Sequence, residues 1–124
     1  MDIVNLMEKF ELINDYWHPR VVGELNNSYV KLAKLKGVFV WHQHHDEDEM
    51  FMVVKGKLEM CFRDENDECV RTVFINPGEF LIVPKGVRHY PIAEEEVYVM
   101  LVEPKTTINT GNIRDERTME SEWL

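Results

Sequence analysis

The sequence has few basic residues and no long apolar run. Lysine and arginine together number 14 against 23 aspartates and glutamates, which gives a net charge of −9. Nucleic acids and anionic membranes both attract basic surfaces, so this deficit argues against either as a partner. No apolar run approaches the length of a membrane span, and the amino terminus lacks the basic-then-apolar order of a signal peptide. We therefore expect a cytoplasmic protein.

Cysteine is also scarce, since only Cys61 and Cys69 are present. They do not form a C-x-x-C pair, so the sequence gives no sign of a cysteine-ligated structural zinc site. Both fall on the arms of an expected hairpin around DEND, residues 64–67, where a disulfide is geometrically possible. Disulfides are uncommon in cytoplasmic proteins, and we therefore expect two reduced thiols.

What the chain does contain is a series of short β-segments. It has 124 residues, of which 44% are hydrophobic, enough for one domain with a single core. Apolar or alternating segments recur along it, and turn-forming clusters separate them: Asn26-Asn27, DEND, NPGE, PKG and AEEE. This spacing predicts an all-β barrel or sandwich with little helix.

The two ends of the chain differ from this pattern. Asn5 is placed to cap one short helix within LMEKF. After Pro104 the alternation is lost and the chain becomes polar. We therefore expect a barrel core over about residues 20–103, an N-terminal segment 1–19, and a C-terminal tail 104–124 that wraps the barrel or frays.

Several of the expected strands are apolar on both faces, namely MFMVV, FLIV and VYVMLV. An antiparallel sheet with one solvated face should instead alternate apolar and polar residues. A second apolar layer is therefore needed, which a partner subunit, a helix or the tail can supply. Of these we expect a homodimer.

Histidines cluster in the stretch GVFVWHQHHDEDEMFMVVKG, residues 37–56. Alternate side chains of a strand share a face, which places His42 and His44 together, with Trp41, Gln43 and His45 opposite. Glu49 follows at the start of an apolar run. Two imidazoles and a carboxylate are ligands that Zn, Mn, Fe, Ni or Cu accept. The alternative without a functional site is that His42 and His44 are a pair of exposed strand histidines.

A second stretch, GEFLIVPKGVRHYPIA at residues 78–93, carries His89. Together the two stretches resemble the two motifs of the cupin family. The first motif, a glycine, H-x-H, Glu and Gly, is matched by Gly37, His42, His44, Glu49 and Gly56. The second, G-x5-P-x-G-x2-H, is matched by Gly78, Pro84, Gly86 and His89. Two departures touch no ligand position: Gly37 lies one residue closer to His42 than usual, and Ala93 replaces a common asparagine.

The resemblance implies a single cupin domain over residues 1–124, with the fold of a double-stranded β-helix, or jelly-roll barrel. It also implies a mononuclear site, made of three histidines and one glutamate, for a divalent transition metal (Mn, Fe, Zn or Ni) near the open end of the barrel. The implied metal ligands are His42, His44, Glu49 and His89. Pairing as a homodimer through outer sheet faces is a further implication.

Two kinds of function follow from such a site. Three imidazoles and one carboxylate leave coordination positions open for a small molecule, as in a dioxygenase or in a sugar isomerase or epimerase of the phosphomannose isomerase type. The alternative is a non-catalytic module that binds or senses a small ligand or a metal. No catalytic acid or base is evident, and the sequence gives no reason to choose among Tyr90, Arg88, Glu59, Lys31 and Arg63. Phe51, Val53 and Met60 are expected to shape the cavity.

Overall fold

A computed structural model of the chain describes residues 1–63, 66 and 68–124, and of Cys69 the backbone alone. In this part of the chain one short helix, α1 (Leu6–Phe10), precedes eight strands. The strands are β1 (Arg20–Leu25), β2 (Ser28–Val38), β3 (Glu49–Lys55), β4 (Leu58–Arg63), β5 (Cys69–Ile75), β6 (Phe80–Val83), β7 (His89–Pro104) and β8 (Glu122–Trp123). The expected all-β class with little helix is confirmed.

The longest strand, β7, organises the sheet. It pairs antiparallel with β2 along most of its length, while its first residues pair with β4 and its later residues with β3. The order is β5-β4-β7-β2-β1-β8, with β6 paired to β3 and the short β8 running parallel to β1. One strand thus joins β2 to both β3 and β4.

One sequence prediction about β7 is wrong. The acidic run AEEE, residues 93–96, is predicted to form a turn between two strands, but it lies within β7. Ala93 is opposite Gly37 whereas Val97 is opposite Leu35, so β7 carries extra residues in this interval. A β-bulge absorbs such residues by bending the strand. The two expected strands are therefore one bent strand, which pairs with β2 on both sides of the bend, with β4 before it and with β3 after it.

The N-terminal segment packs on the outside of the sheet. Asn5 caps α1 as predicted, because its side chain accepts a hydrogen bond of 3.0 Å from the Glu8 backbone N–H. The ring of Phe10 stacks on Tyr98 of β7, with the ring centroids 4.6 Å apart. Phe10, Ile13 and Leu32 form a small outer core. A helix therefore covers part of the outer face.

The main core lies inside the barrel, where alternate residues of β2, β3 and β7 point. Phe51, Val53 and Met60 are all buried there, as expected. The DEND turn falls largely outside the described residues. Cys61 is disulfide-bonded, so the expectation of a reduced thiol at this position is wrong, and the side chain of Cys69 lies outside the described part.

The outer face of β3 and β6 remains open in the single chain. Phe80 and Ile82 are 61% and 53% exposed and lie opposite Met52 and Met50 of β3. This apolar outer face (Met50, Met52, Phe80 and Ile82) is one part of the barrel surface that the helix leaves uncovered. No helix in the described ranges is long and apolar enough to cross a membrane.

Candidate metal centre

The two sequence motifs meet through their histidines. The His42 backbone N–H donates to the His89 carbonyl at 3.1 Å, and the His89 N–H donates to the His42 carbonyl at 2.9 Å. The separate strand expected over VFVWHQH, residues 38–44, does not form, because β2 ends at Val38 and His42 joins the sheet through this isolated bridge. The predicted alternation nevertheless holds, because His42 and His44 are buried while His45 is exposed.

The structure brings together all four residues that the sequence singled out. One potential ligand atom from each of His42, His44, Glu49 and His89 lies within 4.8 Å of the others. None of the four residues is more than 4% exposed. Oε1 of Glu49 lies 3.3 Å from Nε2 of His44 and 3.5 Å from Nε2 of His89. The cluster is therefore compact, and it is shielded from solvent.

Backbone carbonyls orient two of the rings in the same way. Nδ1 of His42 lies 2.8 Å from the Val40 carbonyl oxygen, and Nδ1 of His89 lies 3.0 Å from that of Val87. A carbonyl can only accept, so Nδ1 carries the proton in both rings. The other nitrogen, Nε2, then holds a lone pair that is free for ligation. This is the arrangement by which proteins fix the tautomer of a metal-binding histidine.

The atoms that face the centre of the cluster lack hydrogen-bond partners within the described residues. They are Nε2 of His44, Nε2 of His89 and Oε1 of Glu49, all fully buried. Buried polar atoms without a partner cost free energy, and nearly all such atoms in proteins are satisfied. A divalent cation satisfies all three at once, and three nitrogens with one oxygen suit a transition metal. The residues present therefore fit a metal.

The electrostatics of the cluster keep two candidate ligands, His42 and Glu49, in the charge states that bind a metal. Burial, with His89 adding to the effect, lowers the pKa of His42 to about 3, so this ring is neutral at ordinary pH. Burial alone would raise the pKa of Glu49, but its polar contacts with Glu103, His44 and His89 hold that pKa well below its usual range. Glu49 is therefore the ionised member of the cluster.

A second buried carboxyl group lies behind Glu49. Burial raises the pKa of Glu103 well above its usual range, the charge of Glu49 raises it further, and Lys31 opposes the rise. Two carboxyl groups in contact rarely ionise together. The proton stays on Glu103, which donates it in a hydrogen bond to Glu49, the carboxylate that faces the histidines.

The neighbouring acids have other roles. Glu47 is half-buried, and its carboxylate accepts from the Asp46 backbone N–H at 3.2 Å and from Thr106 Oγ1 at 3.4 Å. Asp48 Oδ1 accepts from the Lys85 N–H at 2.9 Å, which ties the first motif to the second. Among these acids, Glu49 alone belongs to the cluster.

The C-terminal tail supports the segment that carries the histidines, a contact that the sequence reasoning missed. The Gln43 N–H donates to Asn112 Oδ1 at 3.0 Å, and the Asn112 N–H donates to the Gln43 carbonyl at 3.0 Å. Gly111 packs directly beside them. The only available signal was the turn-forming sequence NTGN at residues 109–112, which does not say what the turn contacts.

An apolar recess of about 30 Å³ opens on two of the four residues, His42 and Glu49. Its wall is apolar apart from these two and Asn109, and no lysine or arginine is among the described residues that line it. The ring of Trp17 forms one side and stacks on Phe39, with centroids 4.8 Å apart and planes 13° apart. Phe39 in turn meets His42 edge-on.

Trp17 is held firmly in this position. Its backbone has a positive φ of 60°, which is unfavourable for a residue other than glycine. The Trp17 backbone N–H and indole Nε1–H donate to the carbonyls of Lys34 and Lys36, both at 2.9 Å. Its carbonyl accepts from Asn109 at 3.3 Å. Such strain persists where surrounding contacts enforce it, often beside a binding site.

The five candidates for a catalytic acid or base do not line the apolar recess. Arg63 and Arg88 line a separate recess that touches His42, where the Arg63 guanidinium lies 3.7 Å from the centre of the Trp41 ring. The Tyr90 ring packs against the same Trp41, with the two ring planes tilted by 32°. Glu59 is half-buried on β4. Lys31 is buried beside Glu103.

This fold and this site define a class of protein, and comparison with known proteins agrees. The Cupin domain family matches residues 28–103, more than half of the chain. The protein therefore belongs to the cupin family, and its barrel contains a buried cluster that suits a divalent transition metal.

Particular relatives can be named. The chain is 35% identical over 68 residues to the uncharacterized protein YdbB of Bacillus subtilis, covering 55% of this chain and 56% of YdbB. It is 32% identical over 81 residues to acireductone dioxygenase of the same organism, covering 65% of this chain and 45% of the enzyme. The chain thus spans about half the length of these curated relatives.

Among solved structures, a cupin-2 domain containing protein from Shewanella frigidimarina is similar at 43% identity with a TM-score of 0.76. The match covers 82% of this chain and 94% of that protein. It supports the cupin fold over nearly the whole of the Shewanella chain.

Proposed function

We propose that this cupin is a metal-dependent dioxygenase for a small, largely apolar molecule. His42, His44, Glu49 and His89 hold one divalent transition metal, and the apolar recess beside it, at about 30 Å³ too small for a whole reactant, takes the reactant's apolar edge. The observation that carries the choice of chemistry is that this recess opens directly on two of the four ligands.

The lining of the recess favours the dioxygenase over the sugar isomerase. A sugar presents hydroxyl groups around its ring, and a sugar phosphate adds anionic oxygens. A pocket for it needs hydrogen-bond donors and cations, because a polar group buried without a partner is costly. The recess instead offers Leu35, Phe39 and Phe51, with Asn109 as the one neutral polar side chain among its lining.

The relatives are consistent with this choice. Acireductone dioxygenase of Bacillus subtilis shares 32% identity over residues that make up 45% of that enzyme. The similarity covers under half of the relative, so it supports the class of reaction and leaves the substrate to experiment.

The chain's own residues have definable roles in such a reaction. The backbone carbonyls of Val40 and Val87 keep the rings of His42 and His89 in the tautomer that ligates. Trp17 and Phe39 exclude water from the side of the site where an apolar reactant binds. A redox-active ion such as iron, held by the four ligands, supplies the chemistry with dioxygen.

A non-catalytic binding module is the second candidate, and one observation favours it. Apart from His42 and Glu49, which are candidate metal ligands, the described lining of the recess holds no side chain that can gain or lose a proton. A reaction that requires a separate general acid or base therefore has no group for it there. A sensor or carrier of a metal or small ligand does not need one.

The test begins with metal analysis of protein purified without a histidine tag. Metal-free protein is then loaded with Fe(II), Mn(II), Ni(II) or Zn(II) and assayed for dioxygen uptake against enediols and phenols, and for isomerisation of sugar phosphates. We expect uptake with iron that is lost in Glu49→Gln and kept in Glu47→Gln. Isomerisation without dioxygen uptake would contradict the proposal, and binding without turnover would favour the non-catalytic module.

A further inference from the structure

A buried lysine lies behind the candidate metal centre. Lys31 is 3% exposed, and its Nζ lies 2.9 Å from Oε1 of Glu103, which is 2% exposed. Nζ also donates to Oγ of Ser121 in the tail at 3.0 Å. Lysine is almost never fully buried unless paired, so this pair is an unusual feature of the barrel interior.

The register of three adjacent strands explains how the pair meets the cluster. Lys31 on β2 lies opposite Leu101 of β7. Glu103 is the next residue of β7 whose side chain lies on the same face as that of Leu101, so it is a diagonal neighbour of Lys31. On the other side of β7, Met50 of β3 lies opposite Val102, which sets Glu49 opposite Glu103. Lys31, Glu103 and Glu49 therefore follow one another across the inner face of the sheet, and the Glu103 and Glu49 side chains hydrogen-bond.

Burying these charged side chains contributes little to fold stability. Lys31 and the ionised Glu49 lie on either side of the protonated Glu103, and the cost of removing two opposite charges from water usually cancels their attraction. The role of the pair is therefore to be sought in what it contacts. Glu103 contacts Glu49, the one carboxylate of the cluster.

We propose that Lys31 and Glu103 are positioning residues for the metal centre. Lys31 holds Glu103, and Glu103 holds the carboxyl group of Glu49 so that Oε1 faces His44 and His89. This inference rests on the proposed metal site and adds to it the residues that hold one of its ligands in place. It also gives Lys31 a role behind the ligand, away from the apolar recess where a reactant binds.

The test uses a double variant, Lys31→Met with Glu103→Leu, which removes both polar side chains behind Glu49 at once. Zn²⁺ affinity is measured by calorimetric titration, and the stability of the metal-free protein by urea unfolding. We expect the affinity to fall about tenfold or more, as for other partners of metal ligands. The stability should fall as well, because Glu49 loses the lysine that balances its charge. A purely structural role would lower the stability but leave the Zn²⁺ affinity unchanged.

Two matched variants sharpen the test. Glu103→Gln keeps a donor for Glu49 and an acceptor for Lys31, so it should retain most of the Zn²⁺ affinity. Lys105→Met with Glu24→Gln removes a pair of similar length, 2.8 Å, whose side chains are 37% and 47% exposed. This surface change should leave Zn²⁺ affinity unaltered.

Crystals of the metal-free proteins give a readout that does not depend on metal. In the double variant we expect Glu49 to leave the orientation in which Oε1 lies within 3.5 Å of both Nε2 atoms. An unmoved Glu49, or unchanged Zn²⁺ affinity in the double variant, would overturn the positioning role. If the unmodified protein binds no Zn²⁺, the proposed metal site is wrong, and the orientation of Glu49 still decides the role of the pair.

Discussion

Gly111 lies so close to Gln43 that a Cβ atom on the glycine would overlap the Gln43 carbonyl oxygen. The same atom would approach Cδ2 of His42 to 3.1 Å. Only a residue without a side chain fits here, and its φ of +58° is also one that glycine adopts readily. The tail thus sets the position of the segment that carries two candidate ligands.

We therefore expect Gly111→Ala to displace this segment. The substitution should lower Zn²⁺ affinity about tenfold or more, comparable with losses caused by other partners of metal ligands. It should also lower the free energy of unfolding by about 1–3 kcal/mol, since strain and overlap act together. Calorimetry and urea unfolding measure the two effects.

Gly78→Ala is the matched control. Gly78 has a φ of +84°, so alanine is strained there too, but nothing lies within 4 Å of the added Cβ. It should lose stability by about 1 kcal/mol and keep its Zn²⁺ affinity. Equal losses of affinity in the two variants would show that backbone strain, and not the contact with Gln43, is responsible.

The fourth ligand can be tested with two glutamates. Glu49→Gln keeps the shape of the side chain but removes its charge, and we expect Zn²⁺ affinity to fall about tenfold or more. Glu47 contacts Asp46 and Thr106 outside the cluster, so Glu47→Gln should change the affinity little. A larger loss in the Glu47 variant, by calorimetric titration, would mean that the ligand assignment is wrong.

The low pKa of His42 predicts how the metal-free protein responds to acid. The unfolded chain protonates this ring below its ordinary pKa of about 6.5, whereas the folded protein resists protonation down to about 3. Unfolded chains then bind more protons, so stability is complete above about pH 6.5 and falls as the pH drops. The contribution of His42 is at most about 1.4 kcal/mol per pH unit.

Urea unfolding of metal-free protein at pH 7, 6 and 5 measures the slope of the free energy of unfolding against pH. His42→Asn should reduce the slope, because asparagine does not titrate. His45→Asn replaces an exposed neighbour and should leave the slope as it is in the unmodified protein. Identical slopes in all three proteins would contradict the assignment.

The homodimer remains a prediction, and the apolar outer face gives it a location. Phe80 and Ile82 are more than half exposed, an unusual state for large apolar side chains that are neighbours on one surface. Replacing both with glutamate should weaken dimerisation at least tenfold, equivalent to about 1.4 kcal/mol. Analytical ultracentrifugation measures the dissociation constant of the dimer.

Leu25→Glu is the control for this experiment. Leu25 is 60% exposed, at the β1–β2 hairpin and apart from the apolar outer face. The variant should dimerise as the unmodified protein does. A mass near 14.7 kDa for the unmodified protein at micromolar concentration would refute the dimer itself.

The sequence was most informative where a local pattern determines the outcome. Asn26-Asn27 predicted the turn that follows β1, Asn5 predicted the cap of α1, and motif spacing predicted that His42, His44, Glu49 and His89 would meet. The prediction at AEEE is wrong because a run of acids is typical of a turn, whereas the register with β2 decides that it forms a bulge in β7.

The missed residues depend on contacts between distant parts of the chain. Nothing near Asn112 in the sequence indicates that it pairs with Gln43. Lys31 did carry a signal, because strict alternation in YVKLAKL places it on one face with Tyr29, Ala33 and Leu35. Its partner Glu103 lies on another strand, so only the fold reveals the pair.

The pairing of Asn112 with Gln43 has a thermodynamic consequence. Two processes that share an ordered element are coupled, and the coupling is the same in both directions. If an ordered tail favours occupation of the site, then occupation must favour an ordered tail by an equal factor. Arg114 and Arg117, both exposed, lie just beyond the pairing, so trypsin cleavage at these positions should slow as Zn²⁺ is added. The rate of trypsin cleavage in the C-terminal tail would thereby measure metal binding at a site that these two arginines do not contact.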